Sequence, residues 1–320
     1  MRHKSLSVLV ASALLLPLLG HAAGAAPAAK GPRALRDYPT PAVTGKQMLD
    51  GVESFASAHP LRITGTPVQL MAAEAIAAEA KALGYTVATT SYKGALTAVT
   101  ATKQGSTKPG EVIVFGGHFD SMIGTITGTY DNATGTRTVM DLARSFAKVK
   151  THRTLVFSWY NGEEEGALAS DEMAQDYKAR GIKVAAYLGF DMVGIAYPVG
   201  GTRTDKNCLC MWRGARDEGF DQLFADVNYG FLHFPKGRQT VSIEGRNVRN
   251  SDEASWASAG YPTLRWAGLR KADDYPEYHM PNDNMDTMLS VAGGRSYLEA
   301  GLRNTLLSAY YTAAALDLRA

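Results

Sequence analysis

The stretch EVIVFGGHFD, from Glu111 to Asp120, indicates both the fold class and the place of the chemistry. Its first part, Val112 to Phe115, is a short apolar run bounded by glycine, typical of a strand buried inside a sheet. His118 and Asp120 follow at once. Because sites in open α/β sheets lie beyond the carboxyl ends of the strands, a histidine and an aspartate at this point indicate a functional site.

The same alternation of apolar strand and helical spacing continues along the chain. Strands are predicted at 86–92, 96–102, 111–117, 154–160, 184–191 and 263–266, and helices at 44–59, 68–83, 136–149, 166–180, 213–228 and 294–318. This pattern predicts an α/β protein with three α/β/α layers and a mostly parallel, mixed central sheet.

The first 25 residues have the pattern of an export signal. Arg2 and Lys4 form a basic start, residues 6–19 form an apolar run, and residues 23–25 offer a small-residue cleavage site. The run is shorter than the ~20 residues of a membrane span. We therefore expect a signal peptide at 1–25, a Pro/Ala-rich linker at 26–40 and one domain at 41–320, in a periplasmic or secreted protein that has no membrane span after cleavage.

Composition excludes some classes of partner. Without Arg2 and Lys4 the 33 Lys and Arg fall to 31, which equals the 31 Asp and Glu, and no basic stripe is present. Nucleic acid and anionic membranes are therefore not expected to bind. The oligomeric state is open, and a monomer is compatible with the sequence. Cys208 and Cys210 form either a strained disulfide or two free thiols.

Five residues able to bind divalent metals follow one another in suitable contexts: His118 in GGHFDS, Asp131 in TYDNATG, Glu164 in NGEEEG, Asp191 in LGFDMVG and His279 in EYHMPND. Three carboxylates and two neutral imidazoles bring three negative charges, which two divalent cations and a bridging hydroxide would neutralise. The hydroxide would also be the nucleophile. This donor set, which lacks thiolate, accepts zinc, cobalt or manganese.

Each of these residues also has a structural interpretation. Asp131 precedes a predicted helix and can be its N-cap, while Glu163–Glu165 can be a solvated loop or a favourable helix start. His279 lies in a polar loop, where a histidine is unremarkable by itself. Asp191 is different, because it interrupts a run suited to the sheet interior and needs either an arginine or a metal as its partner.

The metal interpretation suggests roles for two further acids, Asp120 and one of the adjacent pair Glu163 and Glu164. Asp120, two residues after His118, can accept the second imidazole N–H and fix the tautomer that turns the other nitrogen to a metal. Glu163 and Glu164 are adjacent, and adjacent acids can divide their roles. One then binds the metal while its neighbour transfers protons.

Taken together, these residues resemble the dinuclear zinc aminopeptidases, in particular the leucyl aminopeptidase type secreted by bacteria. The motifs are GGHFDS, YDNATG, NGEEEGALAS, GFDMVG, NSDEASWASAGYPT and YHMPNDNMD, in the family's order and near its spacing. The resemblance covers about residues 40–318. It implies a zinc-dependent exopeptidase domain that cleaves the N-terminal residue from peptides with a free N-terminus.

The resemblance also implies a metal site with two zinc ions per chain. His118 and Asp191 would hold one zinc, Glu164 and His279 the other, and Asp131 would bridge them.

Catalytic roles are implied in the same way. Glu163 would be the general base, Asp120 the partner of His118, and Tyr278 a residue that stabilises the oxyanion. The peptide bond between Asp131 and Asn132 would be cis.

Two positions depart from the family's pattern. Where many relatives read Ser-Asp-His, this chain reads Ser251-Asp252-Glu253, and Arg137 is unexpected early in a helix usually lined by small or apolar residues.

Three alternatives to this function stay open. Glutaminyl cyclases on the same fold use a single zinc, carboxypeptidase-type relatives recognise a free carboxylate through arginines, and a non-catalytic relative would keep only the fold.

Overall fold

The computed structural model describes residues 34–195, 211–212, 218–234, 251–268 and 275–319. Residues 34–320 belong to one compact unit. The expected signal peptide at 1–25 and both cysteines, Cys208 and Cys210, lie outside the described residues. In the part of the chain that is described, no helix combines the length and apolar character needed to cross a membrane.

The described residues contain a seven-stranded sheet at the centre of the fold. Its strands are β1 Thr86–Ser91, β2 Thr97–Lys103, β3 Lys108–His118, β4 Arg153–Tyr160, β5 Lys183–Phe190, β6 Met211–Trp212 and β7 Thr263–Trp266. They lie in the order β1-β2-β4-β3-β5-β7-β6. The central four, β4, β3, β5 and β7, are parallel, whereas β1, β2 and β6 pair antiparallel at the two sides.

The predicted α/β class and mixed sheet are thus confirmed. The two-residue strand β6 was not predicted, because so short a segment has no readable alternation.

The described helices are α1 Gly45–Ala58, α2 Pro67–Ala82, α3 Thr134–Phe146, α4 Leu168–Ala179, α5 Glu218–Ala225, α6 Asp252–Ala259, α7 Met285–Ala292 and α8 Arg295–Leu318. Local side-chain chemistry explains where α1 begins. Thr44 and Gln47 form a capping box at the start of α1. Helix α6 was not predicted because it is buried nearly all round, so it lacks the one-sided period of a surface helix.

Helices cover both faces of the sheet. α1, α2, α3 and α8 pack on one face, where Phe115 stacks on Phe157 with ring centroids 4.6 Å apart. α4 and α6 pack on the other, where Tyr187 stacks on Trp256 at 5.1 Å. Burial of such side chains stabilises the fold by roughly 1.5–3 kcal/mol each. The three α/β/α layers follow from these two cores.

The end of the segment predicted as a linker at 26–40 packs on the domain. Tyr38 is buried, and its hydroxyl donates a hydrogen bond to Asp317 near the end of α8. The same carboxylate accepts the backbone N–H groups of His152 and Arg153, at 2.9 and 2.6 Å, where β4 begins. An aromatic side chain so placed ties the preceding segment to the domain.

Arg137, unexpected in the sequence, is accommodated by an ion pair. Its guanidinium binds both carboxylate oxygens of Glu79 in α2, at 2.6 and 3.0 Å. Bidentate geometry of this kind is the strongest that arginine forms with a carboxylate. The arginine therefore links α3 to α2.

The four parallel strands end at the same edge of the sheet. His118 is in register with Tyr160, and Phe190 with Trp266, so β3, β4, β5 and β7 end side by side. The crossover after β3 runs through α3 on one face, and the crossover after β4 runs through α4 on the other. Loops that leave in opposite directions open a cleft at this edge, where α/β proteins bind their ligands.

A substitution at Gly117 tests how closely β3 and β5 approach each other at this edge. A Cβ added there would lie 2.6 Å from the carbonyl oxygen of Phe190, whereas one added at Gly110 in the same strand would meet nothing within 4 Å. We expect Gly117→Ala to lower the free energy of unfolding by about 1–3 kcal/mol through overpacking, and Gly110→Ala to change it by less than about 0.5 kcal/mol. Urea denaturation measures both, and equal effects would contradict the close approach of β3 and β5.

Candidate metal centre

All five predicted ligands come from segments at the carboxyl edge of the sheet. His118 is the last residue of β3, Glu164 lies in the loop after β4, and Asp191 directly follows β5. Asp131 lies in an irregular turn just before α3, and His279 lies in the segment before α7. The fold brings together residues that are up to 161 positions apart (118 to 279).

Asp131 lies between the two imidazoles. Its Oδ1 is 3.3 Å from His118 Nε2, and its Oδ2 is 3.3 Å from His279 Nε2. Each imidazole nitrogen also faces a second carboxylate. Asp191 Oδ1 lies 3.4 Å from His118, and Glu164 Oε2 lies 3.2 Å from His279. The ligand atoms of each trio lie within 4.8 Å of one another, and Asp131 belongs to both trios. A third such group among the described residues joins His118 to Glu163 and Glu164.

These separations fit a shared cation. Zinc binds imidazole and carboxylate at about 2.0–2.2 Å in tetrahedral geometry, which places two of its ligand atoms about 3.3 Å apart. The observed separations are 3.2–3.4 Å. Glu164 Oε1 is buried and has no hydrogen-bond partner among the described residues. The residues present therefore fit divalent metal ions.

The electrostatics of the site also favour bound cations. Burial opposes protonation of His118, but the carboxylates of Glu163, Asp120 and Asp131 outweigh burial and raise its pKa well above the usual value. His279 is also buried in part, yet hydrogen bonds to Asp131 and Glu164 raise its pKa to about 10. So much negative charge calls for positive charge nearby, which divalent cations supply directly.

The position of Asp131 between the two imidazoles depends on Asp283, whose role the sequence did not reveal. The buried carboxylate of Asp283 accepts the backbone N–H groups of Tyr130 and Asp131, each at 2.9 Å, and the hydroxyl of Tyr275 at 2.8 Å. Its position within YHMPND, four residues after His279, was the available signal.

Asn132 joins this turn to the strand ends. Its Oδ1 accepts the N–H groups of Gly135 at 2.8 Å and Met192 at 3.1 Å, while its Nδ2 donates to the carbonyl of Phe190 at 3.0 Å. The peptide bond between Asp131 and Asn132 is cis, as the resemblance implies.

A second unpredicted residue, Arg62, holds the loop that carries Asp120. Its buried guanidinium donates to the carbonyls of Phe119 and Thr127, both at 2.6 Å, and of Gly128 at 2.9 Å. A buried cation satisfied by backbone carbonyls stabilises the loop between β3 and the Asp131 turn. The sequence around Arg62 contains no motif that predicts this role.

The three residues predicted to act in catalysis surround the trios. Asp120 Oδ1 lies 3.4 Å from Nδ1 of His118, the nitrogen that faces away from the cluster. Glu163 Oε2 lies 3.9 Å from His118 Nε2, and burial together with neighbouring carboxylates raises the pKa of Glu163. Tyr278 stacks on His279 with ring centroids 3.7 Å apart. Burial raises the pKa of Tyr278, so its hydroxyl stays protonated and able to donate.

Asp191 has an arginine, one of the two partners that the sequence left open, and it also faces the candidate metal site. Its Oδ1 faces the His118 trio, while its Oδ2 accepts a hydrogen bond from Arg265 of β7. Burial opposes ionisation of Asp191, but the charge of Arg265 outweighs burial and lowers the pKa. Arg265 in turn donates to Glu253 at 3.0 Å, at the position where the family's pattern has histidine.

The fold and this cluster together define a three-layer α/β/α protein with a candidate metal site. The sequence model of Peptidase family M28 matches residues 98–295, well over half of the chain. The chain therefore belongs to Peptidase family M28. The secreted bacterial subtype within it stays a prediction.

Curated relatives and solved structures agree with this family. A probable zinc metalloprotease of Pyrenophora tritici-repentis is 35% identical over 229 residues, which cover 63% of this chain and 51% of that protein. Leucine aminopeptidase 1 of Arthroderma gypseum is 33% identical over 239 residues, covering 68% and 59%. This chain spans about half the length of the curated relatives it matches.

Solved structures share the fold at low identity. The LapA aminopeptidase of Legionella pneumophila has a TM-score of 0.69 at 20% identity, covering 87% of this chain and 71% of that one. A glutaminyl cyclase of Fimbriiglobus ruber has a TM-score of 0.64 at 17% identity, covering 90% and 99%. Since both activities occur on this fold, the fold does not distinguish between them.

Replacing Asp283 by Asn tests whether Asp283 supports the turn that carries Asp131. One of the two oxygens that accept backbone N–H groups becomes an NH₂ group, which leaves a buried donor unsatisfied. We expect a loss of about 1–3 kcal/mol in the free energy of unfolding, measured by chemical denaturation. Asp286→Asn, an exposed change in the first turn of α7, is the control and should cost less than about 1 kcal/mol. Equal losses would contradict the supporting role of Asp283.

Proposed function

We propose that this protein is a zinc metallo-aminopeptidase that hydrolyses the N-terminal peptide bond of peptides and holds two zinc ions per chain. The observation that carries the proposal is the placement of Asp131, whose two oxygens face the imidazoles of His118 and His279 at equal distances of 3.3 Å. In this proposal His118 and Asp191 hold one zinc, Glu164 and His279 hold the other, and Asp131 is shared.

Bound zinc supplies Lewis-acid chemistry, polarising the scissile carbonyl and lowering the pKa of water. Glu163, whose carboxylate lies beside the His118 trio without belonging to the proposed ligands, takes a proton from the attacking water and transfers it to the leaving amine. Asp120, whose Oδ1 lies 3.4 Å from His118 Nδ1, is placed to accept that N–H and so to keep Nε2 available as a metal ligand. The Tyr278 hydroxyl donates to the oxyanion of the substrate.

Negative charge in the cleft supports specificity for the amino end of a peptide. The substrate's α-ammonium group is the one positive charge that every peptide with a free N-terminus carries, and the carboxylates around Glu163 and Glu164 attract it. Relatives named leucine aminopeptidase and zinc metalloprotease support the same assignment. Peptides with a free N-terminus are the proposed partners, and we propose export to the periplasm or medium from the pattern of residues 1–25.

Three observations disfavour the alternatives on this fold. A carboxypeptidase needs an arginine for the substrate carboxylate, but the arginines beside the described cluster, Arg62 and Arg265, are buried on backbone carbonyls and on carboxylates respectively. A glutaminyl cyclase with one zinc does not require two complete trios. A non-catalytic relative does not require the largely buried acid Glu163 beside them.

Glu163→Gln tests the general base. The amide keeps the size of the side chain but cannot accept the proton, so kcat on Leu-p-nitroanilide should fall by about 10²–10⁴-fold. Zinc content, measured by atomic emission, should stay at the wild-type value because Glu163 is not a proposed ligand. The matched control is Glu165→Gln, a change at the exposed end of the same acidic run, which should keep kcat within about twofold. Near-normal activity of Glu163→Gln would refute its role.

A panel of substrates tests the reaction itself. Leu-p-nitroanilide, an N-terminally blocked peptide and a Gln-peptide separate aminopeptidase, carboxypeptidase and cyclase activity. We expect hydrolysis of Leu-p-nitroanilide, no cleavage of the blocked peptide and no cyclisation of the Gln-peptide. Hydrolysis should be lost on treatment with a chelator and recovered with zinc. Metal analysis should find two zinc ions per chain. Cyclisation of the Gln-peptide with one zinc per chain would support the cyclase instead.

A further inference from the structure

A buried chain of charges runs from helix α6 to the metal centre. Glu253 in the first turn of α6 accepts a hydrogen bond from Arg265 Nη1 at 3.0 Å, and Arg265 Nη2 donates to Asp191 Oδ2. The side chains of Glu253 and Arg265 are each 2% exposed, and that of Asp191 is 8% exposed. Since solvent hardly screens these charges, Arg265 acts strongly on Asp191.

Arg265 makes the two metal positions unequal. Asp191 has one oxygen toward His118 and the other engaged by a guanidinium. Its counterpart Glu164 has one oxygen toward His279, and the other has no hydrogen-bond partner among the described residues. One trio thus contains a carboxylate partly neutralised by an arginine, whereas no arginine or lysine among the described residues pairs with the end carboxylate of the other trio.

We propose that Arg265, held by Glu253, is a positioning residue that restricts Asp191 to one metal-binding oxygen and makes the His118–Asp191 position the weaker of the two zinc positions. This inference rests on the proposed function, because it requires that zinc binds. Glu253 sets the degree of the effect, since its negative charge offsets part of the charge of Arg265. Glu253, at the position where many relatives have histidine, thus forms an ion pair with Arg265 on strand β7.

The proposal predicts opposite effects for two variants. In Glu253→Gln the amide still accepts a hydrogen bond from Arg265, but the guanidinium is then balanced by Asp191 alone. The weaker zinc-binding phase should weaken by about tenfold. In Glu253→Leu/Arg265→Met the guanidinium is gone and both oxygens of Asp191 become available. The weaker phase should then be at least as tight as in the wild type, and the tighter phase should be unchanged in both variants.

Isothermal titration of chelator-treated full-length protein with Zn²⁺ measures both phases, and thermal denaturation confirms that each variant is folded. The matched control is Glu111→Gln. Glu111 is the counter-ion of the buried Arg153 at 2.7 Å, at the opposite end of β3, so this change should leave zinc binding unaffected.

Three results would overturn the proposal. Unchanged zinc binding in Glu253→Gln would show that the charge of Glu253 does not reach the site. Equal weakening in both variants would show that the pair only supports packing. A wild type that binds no zinc would refute the proposed function itself, and this result is distinct because it precedes any comparison of variants.

Discussion

Concentrated negative charge at the carboxyl edge of the sheet is the constraint on which the rest of the structure depends. Carboxylates of Asp131, Glu164 and Asp191 lie within reach of two imidazoles in a site that is largely shielded from water. Burying such charges costs several kcal/mol per ion unless cations balance them. The fold meets this cost partly with Arg265 and otherwise with the capacity to hold metal ions.

Much of the surrounding framework exists to orient this charge. Asp283 and Asn132 fix the turn that carries Asp131, and Arg62 fixes the loop that carries Asp120. These supports are buried polar groups with their hydrogen bonds made to backbone atoms, an arrangement that allows little movement. Membership of Peptidase family M28 is consistent with a site that requires such fixed geometry.

Local patterns were sufficient for much of the fold. Apolar strands such as 111–117 and 154–160 are recognisable because a buried parallel strand is apolar throughout, and the capping residue Thr44 marks the start of α1. Helix α6 has no one-sided hydrophobic period because it is buried on nearly all sides. The burial of Tyr38 was not predicted, because its partner Asp317 is 279 residues away. Such features depend on contacts that no short window of sequence contains.

The sequence by itself determined the alternation of strands and helices and the identity of the five candidate metal ligands, because both depend on spacing and side-chain chemistry. Only the tertiary structure decided that Asp131 lies between His118 and His279, that Asp283 supports it, and that Asp191 is shared with Arg265. The reason is physical: a distance between residues far apart in the chain depends on strand order and register, which are set by packing of the whole domain.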